Sequence, residues 1–118
     1  MSNYVDGFVI PIPKNNIETY RKIAEEAGKV WKEYGALEYC ECVGDDLEVK
    51  DQVPFTRIVD AKPNETVVFS WILWPSRQVR DEGMGKAMND PRLQPDKMAM
   101  PFDGKRMIFG GFKVLLAA

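Results

Sequence analysis

Residues 67–74, VVFSWILW, decide the fold, because nearly every side chain in this stretch is apolar whichever way the backbone pleats. A half-exposed strand alternates apolar with polar residues; a strand with two dry faces does not, and it needs cover on both. We read 67–74 as the central strand of a sheet. The rest of the chain offers helix enough for one face, so the second face calls for another layer.

On the N-terminal side, Tyr4–Ile12 is rich in aromatic and β-branched residues and closes at Pro11 and Pro13, which marks a first strand. Asn15 stands three residues before Glu18, the spacing of a capping pair. Ile17, Tyr20, Ala24, Ala27, Trp31 and Tyr34 then recur at helical spacing, with Gly35 as the stop. Leu37–Val43 alternates as a second strand. The charged excursion 44–66 reads mostly as loop, with a short edge strand at Phe55–Val59. After Trp74, Pro75 and Ser76 open a second helix, in which Gly83 and Gly85 each cost about 1 kcal/mol relative to alanine. Residues 90–106, with three prolines and with Met98 and Met100, suit an ordered flap, and Met107–Leu116 is the last strand. The order βαββαβ is the ferredoxin-like, split-βαβ arrangement: a four-stranded antiparallel sheet with two helices on one face, in a single α+β domain spanning 1–118. With the helices over Val67, Phe69, Trp71 and Leu73, the alternation leaves Phe8, Ile10, Val68, Ile72, Trp74 and Phe109 on the open face, where a second copy of the sheet would cover them.

Composition bounds the function. Charged residues are 29% of the 118, with 16 Lys plus Arg against 18 Asp plus Glu, so a net charge of -2 provides no positive field for nucleic acid. No run of about 18 apolar residues exists to cross a membrane. The two cysteines, Cys40 and Cys42, are too few for a disulfide framework and fit a cytoplasmic protein. Their Cα atoms, about 6.6–7 Å apart along a strand, disfavour a bridge. The chain has no histidine, which removes His-based triads, His-ligated haem and the usual histidine metal sites. We therefore expect no metal and no cofactor. Gly83-x-Gly85 lacks the third glycine and the placement of a dinucleotide motif, and Asp45, Asp46 and Glu48 do not fit a calcium loop.

Five segments together, YVDGFVIPIPK (4–14), GKVWKEYGALEYCECVGDD (28–46), FSWILWPSRQVRD (69–81), MNDPR (88–92) and MPFDGKRMIFGGF (100–112), span nearly the whole chain. They resemble the YbaA-like bacterial family of unknown function, in the dimeric α/β-barrel superfamily. That resemblance implies a ferredoxin-like fold pairing sheet to sheet as a homodimer. The superfamily includes cofactor-free oxygenases, chlorite-dismutase-like haem proteins and proteins with no known activity. The resemblance carries no assigned reaction. Gly83 and Gly85 depart from the pattern and mark the second helix as irregular.

Without histidine, acid–base work falls to carboxylate, tyrosine, lysine or cysteine. Asp6, Tyr39, Glu41 and Lys113 interrupt otherwise apolar strands and are the catalytic candidates; Ser70, Trp74, Arg77 and Arg106 are the ligand-binding candidates. If the purely apolar faces meet the helices, these strand residues point into a dimer cavity, with Asp6 paired to Lys113 or Arg106. The competing structural reading makes Asp6, Glu41 and Lys113 ion pairs of the interface. Arg77, Arg80 and Asp81 fit a solvated helix face as well as an anion clamp. Two functions follow: a cofactor-independent small-molecule enzyme of oxygenase or isomerase type with its pocket at the sheet, or a non-catalytic module holding a small apolar or aromatic ligand with Trp71, Trp74 and the methionine flap. RNA binding lacks both the aromatic pattern and the charge.

Overall fold

The computed structural model describes residues 2–94 and 100–118. Strand β1 (Tyr4–Pro13) leads through a 3-10 turn (Lys14–Asn16) into helix α1 (Ile17–Glu33). Then come β2 (Glu38–Val43), a single helical turn α2 (Phe55–Ile58), β3 (Glu65–Trp74), helix α3 (Arg77–Met88), two further 3-10 turns (Pro91–Leu93 and Gly104–Arg106) and β4 (Ile108–Lys113). The sheet is four-stranded and antiparallel in the order β2-β3-β1-β4, the ferredoxin-like arrangement, with 67–74 inside the central β3.

Helix α1 forms on its apolar stripe, burying Tyr20, Ala24, Ala27, Val30 and Trp31. The expected Asn15 cap is absent: the 3-10 turn takes its place, and the Asn16 amide donates instead to the Pro101 carbonyl at 2.8 Å. Gly35, at φ 113°, ends the helix in the left-handed region that glycine adopts freely. Helix α3 starts where Ser76 accepts the Val79 N–H at 3.2 Å, and it runs unbroken through Gly83 and Gly85. The edge strand expected at Phe55–Val59 is instead the turn α2, which lies against β3 and stacks Phe55 on Phe69 at 5.9 Å, followed by the buried Val59. Met98 lies outside the described residues.

The register corrects the assignment of the two sheet faces. Asp6 opposes Ile72, Phe8 opposes Ser70, Tyr39 opposes Ile72 and Glu41 opposes Ser70, so these residues share one face. That face is the one under the helices: Trp74, Ile72, Val30, Trp31 and Ala27 form one buried cluster, and Ile10, Ile12, Val68, Tyr20 and Ala24 form a second. Each fully buried large side chain there contributes about 1.5–3 kcal/mol. The outer face bears Val5, Val9, Phe69, Trp71, Leu73 and Phe112 with Cys40 and Cys42, the reverse of the expected assignment. Both faces of β3 are apolar, so its pattern does not choose between them. The helices choose, because α1 and α3 bring the hydroxyl and guanidinium partners that Glu41 and Asp6 require.

Candidate functional site

Between α1 and the sheet lies a cavity of about 330 Å³, large enough for roughly ten water molecules or one small ring compound. Phe8, Ile10, Ile72, Ala24, Ala27 and Trp31 supply apolar walls, and Met88, Met100 and Met107, all exposed, stand at its outer side. Its polar end is built from Tyr20 of α1, Tyr39 and Glu41 of β2 and Ser70 of β3. Tyr39 and Glu41 are two apart on one strand and so point the same way, while Tyr20 descends from the helix onto them.

The Tyr20 hydroxyl donates to Glu41 Oε1 at 2.8 Å, and the Tyr39 hydroxyl donates to Oε2. Burial pushes the Glu41 carboxyl above its ordinary 4.5, while hydrogen bonds from Tyr39, Tyr20 and Ser70 pull it back. Burial, with Glu41 beside them, drives both tyrosine hydroxyls far up, so they are permanent donors. Gly28 makes the arrangement possible: a Cβ there would lie 2.8 Å from the Tyr39 ring. Among the described residues lining the cavity none is Lys or Arg, so Glu41 has no cationic partner there.

The remaining candidates lie elsewhere. Asp6 is 0% exposed, on the helix face rather than the open one, and its partner is Arg80 at 3.1 Å rather than Lys113 or Arg106. Trp74 Nε1 donates to its other oxygen at 3.0 Å, and the Arg80 guanidinium sits 4.8 Å over the Tyr4 ring. Burial raises the Asp6 pKa, and Arg80 and Trp74 oppose that rise. A Cβ at Gly111 would meet Arg80 at 2.3 Å, so that glycine leaves room for the guanidinium. Neither Asp6 nor Trp74 lines the cavity; together they fasten α3 to the sheet. Lys113 is exposed at the end of β4, and Arg77 is exposed beside Asp81 at 3.6 Å. Arg106 forks onto Glu65 with both contacts at 2.8 Å.

The MNDPR segment is a clamp between helix ends. Asp90 accepts from Tyr34 at 2.7 Å and from Arg92, which also reaches Glu33 at 2.5 Å, and Arg92 holds the Asp90 carboxyl well below its usual range. Cys40 and Cys42 are both free thiols, with their sulfurs in hydrogen-bond contact at 3.8 Å and no disulfide between them. Among the described residues no group of three or more His, Cys, Asp or Glu could hold a metal, and no helix is long and apolar enough to cross a membrane. Sequence reasoning missed Tyr20 as a site residue, because its place in the apolar stripe of α1 hides a hydroxyl aimed at Glu41. Gly28, within that same helix, was the available sign that a large ring packs beneath it.

Among solved structures the fold is similar to a dimeric ferredoxin-like protein from an uncultured marine organism, with a TM-score of 0.68 at 10% identity over 100% of both chains. It is also similar to a NIPSNAP family protein of unknown function from Agrobacterium tumefaciens, with a TM-score of 0.57 at 15% identity, covering 96% of this chain and 88% of the other. In sequence the chain is 46% identical to the uncharacterized protein YbaA of Escherichia coli K12 over 113 residues, covering 96% of this chain and 97% of that one, and equally to YbaA of Shigella flexneri. With residues 3–104 matching as well, the chain belongs to the family described as protein of unknown function DUF1428.

Proposed function

We propose that this protein is a cofactor-independent small-molecule enzyme of the cytoplasm, of isomerase or oxygenase type. Its site is the cavity between α1 and the sheet, and Glu41 is its acid–base group. One observation carries the reading: a carboxyl raised by burial stands at the end of an otherwise apolar cavity, held by two tyrosine hydroxyls. A carboxyl so placed, with its pKa raised by burial, is a stronger proton acceptor than an exposed glutamate. The second reading, a module that holds a small apolar or aromatic ligand without turning it over, is favoured by the apolar character of the rest of the lining. Small molecules carried by natively purified protein, identified by mass spectrometry, test the pocket. An apolar or aromatic compound is expected with the wild type and lost from Ala27→Trp, which fills the cavity. No difference between the two proteins would overturn the reading.

The same proposal includes a homodimer formed through the outer sheet face. Phe69 and Phe112 are exposed there, Phe112 at 62%, and α2 stacks Phe55 on Phe69 at one end of the face. A stable association buries about 800 Å² per partner, and the solved neighbour with this fold is described as dimeric.

A further inference from the structure

We infer that the substrate is an uncharged, enolisable ketone of one or two rings, and that its α-proton passes to Glu41 while a tyrosine hydroxyl binds the developing enolate. This rests on the acid–base reading of the cavity and names the chemistry that the same residues fit.

Both oxygens of Glu41 are already engaged, Oε1 by Tyr20 and Oε2 by Tyr39. Those bonds suit a carboxylate, and one of them weakens when the carboxylate becomes an acid, since the protonated oxygen is a poor acceptor. In the step, Glu41 takes the α-hydrogen as the C–H bond breaks. The C–H electron pair becomes the new C=C bond, and the carbonyl π pair moves onto oxygen. The tyrosine released from the neutral acid then donates to that oxygen, so negative charge leaves the carboxylate and reappears on the enolate beside the same donors. Return of the proton from Glu41 to the same carbon regenerates the ketone and is seen as exchange, whereas its delivery to the γ-carbon of a β,γ-unsaturated ketone completes an isomerisation with no oxidant, metal or second base.

Charge narrows the class. Among the described residues that line the cavity there is one carboxyl and no Lys or Arg. The arginines around the helix–sheet layer are committed elsewhere: Arg80 to Asp6, Arg92 to Asp90 and Glu33, and Arg106 to Glu65 and Asp103. A keto acid, phosphate ester or other anion would therefore bring a second negative charge into an apolar space beside Glu41, with no cation among the described lining residues to pair it. The volume of about 330 Å³ and the rings of Phe8 and Trp31 fit a compact ring ketone.

The test uses the full chain with three probes of one shape: α-tetralone, its carboxylate analogue and its amine analogue. Binding is read by calorimetry, and exchange of the ketone's α-protons is read by NMR in deuterated water. The expected result is binding of the ketone at least tenfold tighter than the carboxylate, with exchange slowed about 10²-fold or more in Glu41→Gln. Tyr39→Phe should slow exchange more than it weakens binding, which a merely structural tyrosine would not do. Carboxylate binding equal to the ketone would overturn the inference and leave the pocket reading standing. Selective ketone binding without Glu41-dependent exchange would do the same and leave the binding module. An amine held more tightly than the ketone by wild type but not by Glu41→Gln would make this an ammonium site instead. Binding of none of the three would remove both the inference and the pocket.

Discussion

Gly83→Ala should destabilise the protein, although replacing a glycine inside a helix by alanine ordinarily stabilises it by about 1 kcal/mol. Gly83 sits on the buried side of α3, and a Cβ there would lie 2.5 Å from the Tyr34 carbonyl oxygen and 2.7 Å from Trp74 Cζ3. Neither neighbour can yield. The carbonyl belongs to Tyr34, the C-cap of α1, and the Trp74 indole is fully buried and tied to Asp6 at 3.0 Å. Overlap of this kind costs about 1–3 kcal/mol. Gly85, two residues along the same helix, provides the reference, since a Cβ there meets nothing within 4 Å. Gly85→Ala receives the helix-propensity gain alone, so the gap between the two variants is the overlap cost itself, about 1–3 kcal/mol. Urea unfolding measures it, with equal slopes confirming that the midpoints compare stabilities. A Gly83→Ala midpoint at or above that of Gly85→Ala would mean that α3 does not press on Trp74, and the face assignment would fall with it.

Three further outcomes are expected. Arg106 holds the Glu65 carboxyl down to about 2 from an ordinary 4.5; a pKa depressed on folding stabilises fully above 4.5 and is lost as pH falls toward about 2. Glu65→Gln should therefore flatten the decline in urea midpoint across that window, and an unchanged decline would place Glu65 outside the pair. Gly28→Ala should push the Tyr39 ring off Glu41, remove one of the hydrogen bonds that hold that carboxyl down, and so raise the Glu41 pKa, as measured by NMR titration. On the outer face, Trp71→Arg and Phe112→Asp should weaken self-association in sedimentation over a dilution series, while Lys22→Glu on α1 should not. Equal effects from all three would place the interface elsewhere.

The strands, α1 and the antiparallel order were legible because period-two and period-3.6 patterns are local, and each strand was found to within a few residues. The assignment of faces was not. VVFSWILW is dry on both sides, so hydropathy cannot say which side the helices take, and Asp6, Glu41 and Ser70 looked like interruptions belonging to an interface. Their partners come from far along the chain: Arg80 is 74 residues from Asp6 and Tyr20 is 21 from Glu41. No periodicity encodes such contacts. Two of the three helical glycines, 28 and 83, did carry the information. Each costs helix stability in isolation and is repaid where a ring, Tyr39 or Trp74, packs against it. Together they mark the face of β2 and β3 that turns toward the helices. The candidate site was legible in part for the same reason. Tyr39, Glu41 and Ser70 stand out along their strands, whereas Tyr20 is concealed in an apolar helical stripe and Arg77, Arg106 and Lys113 are exposed or engaged in ion pairs away from the cavity.

Glu41 is a half-buried carboxyl lining a ligand-sized cavity, and its side-chain carboxyl carbon can be followed directly. In carbon-detected NMR, with the resonance identified by its loss in Glu41→Gln, the group should titrate above 4.5 and its shift should move when α-tetralone is added. A Glu41 that titrates at or below 4.5 and does not respond to the ketone would contradict the account.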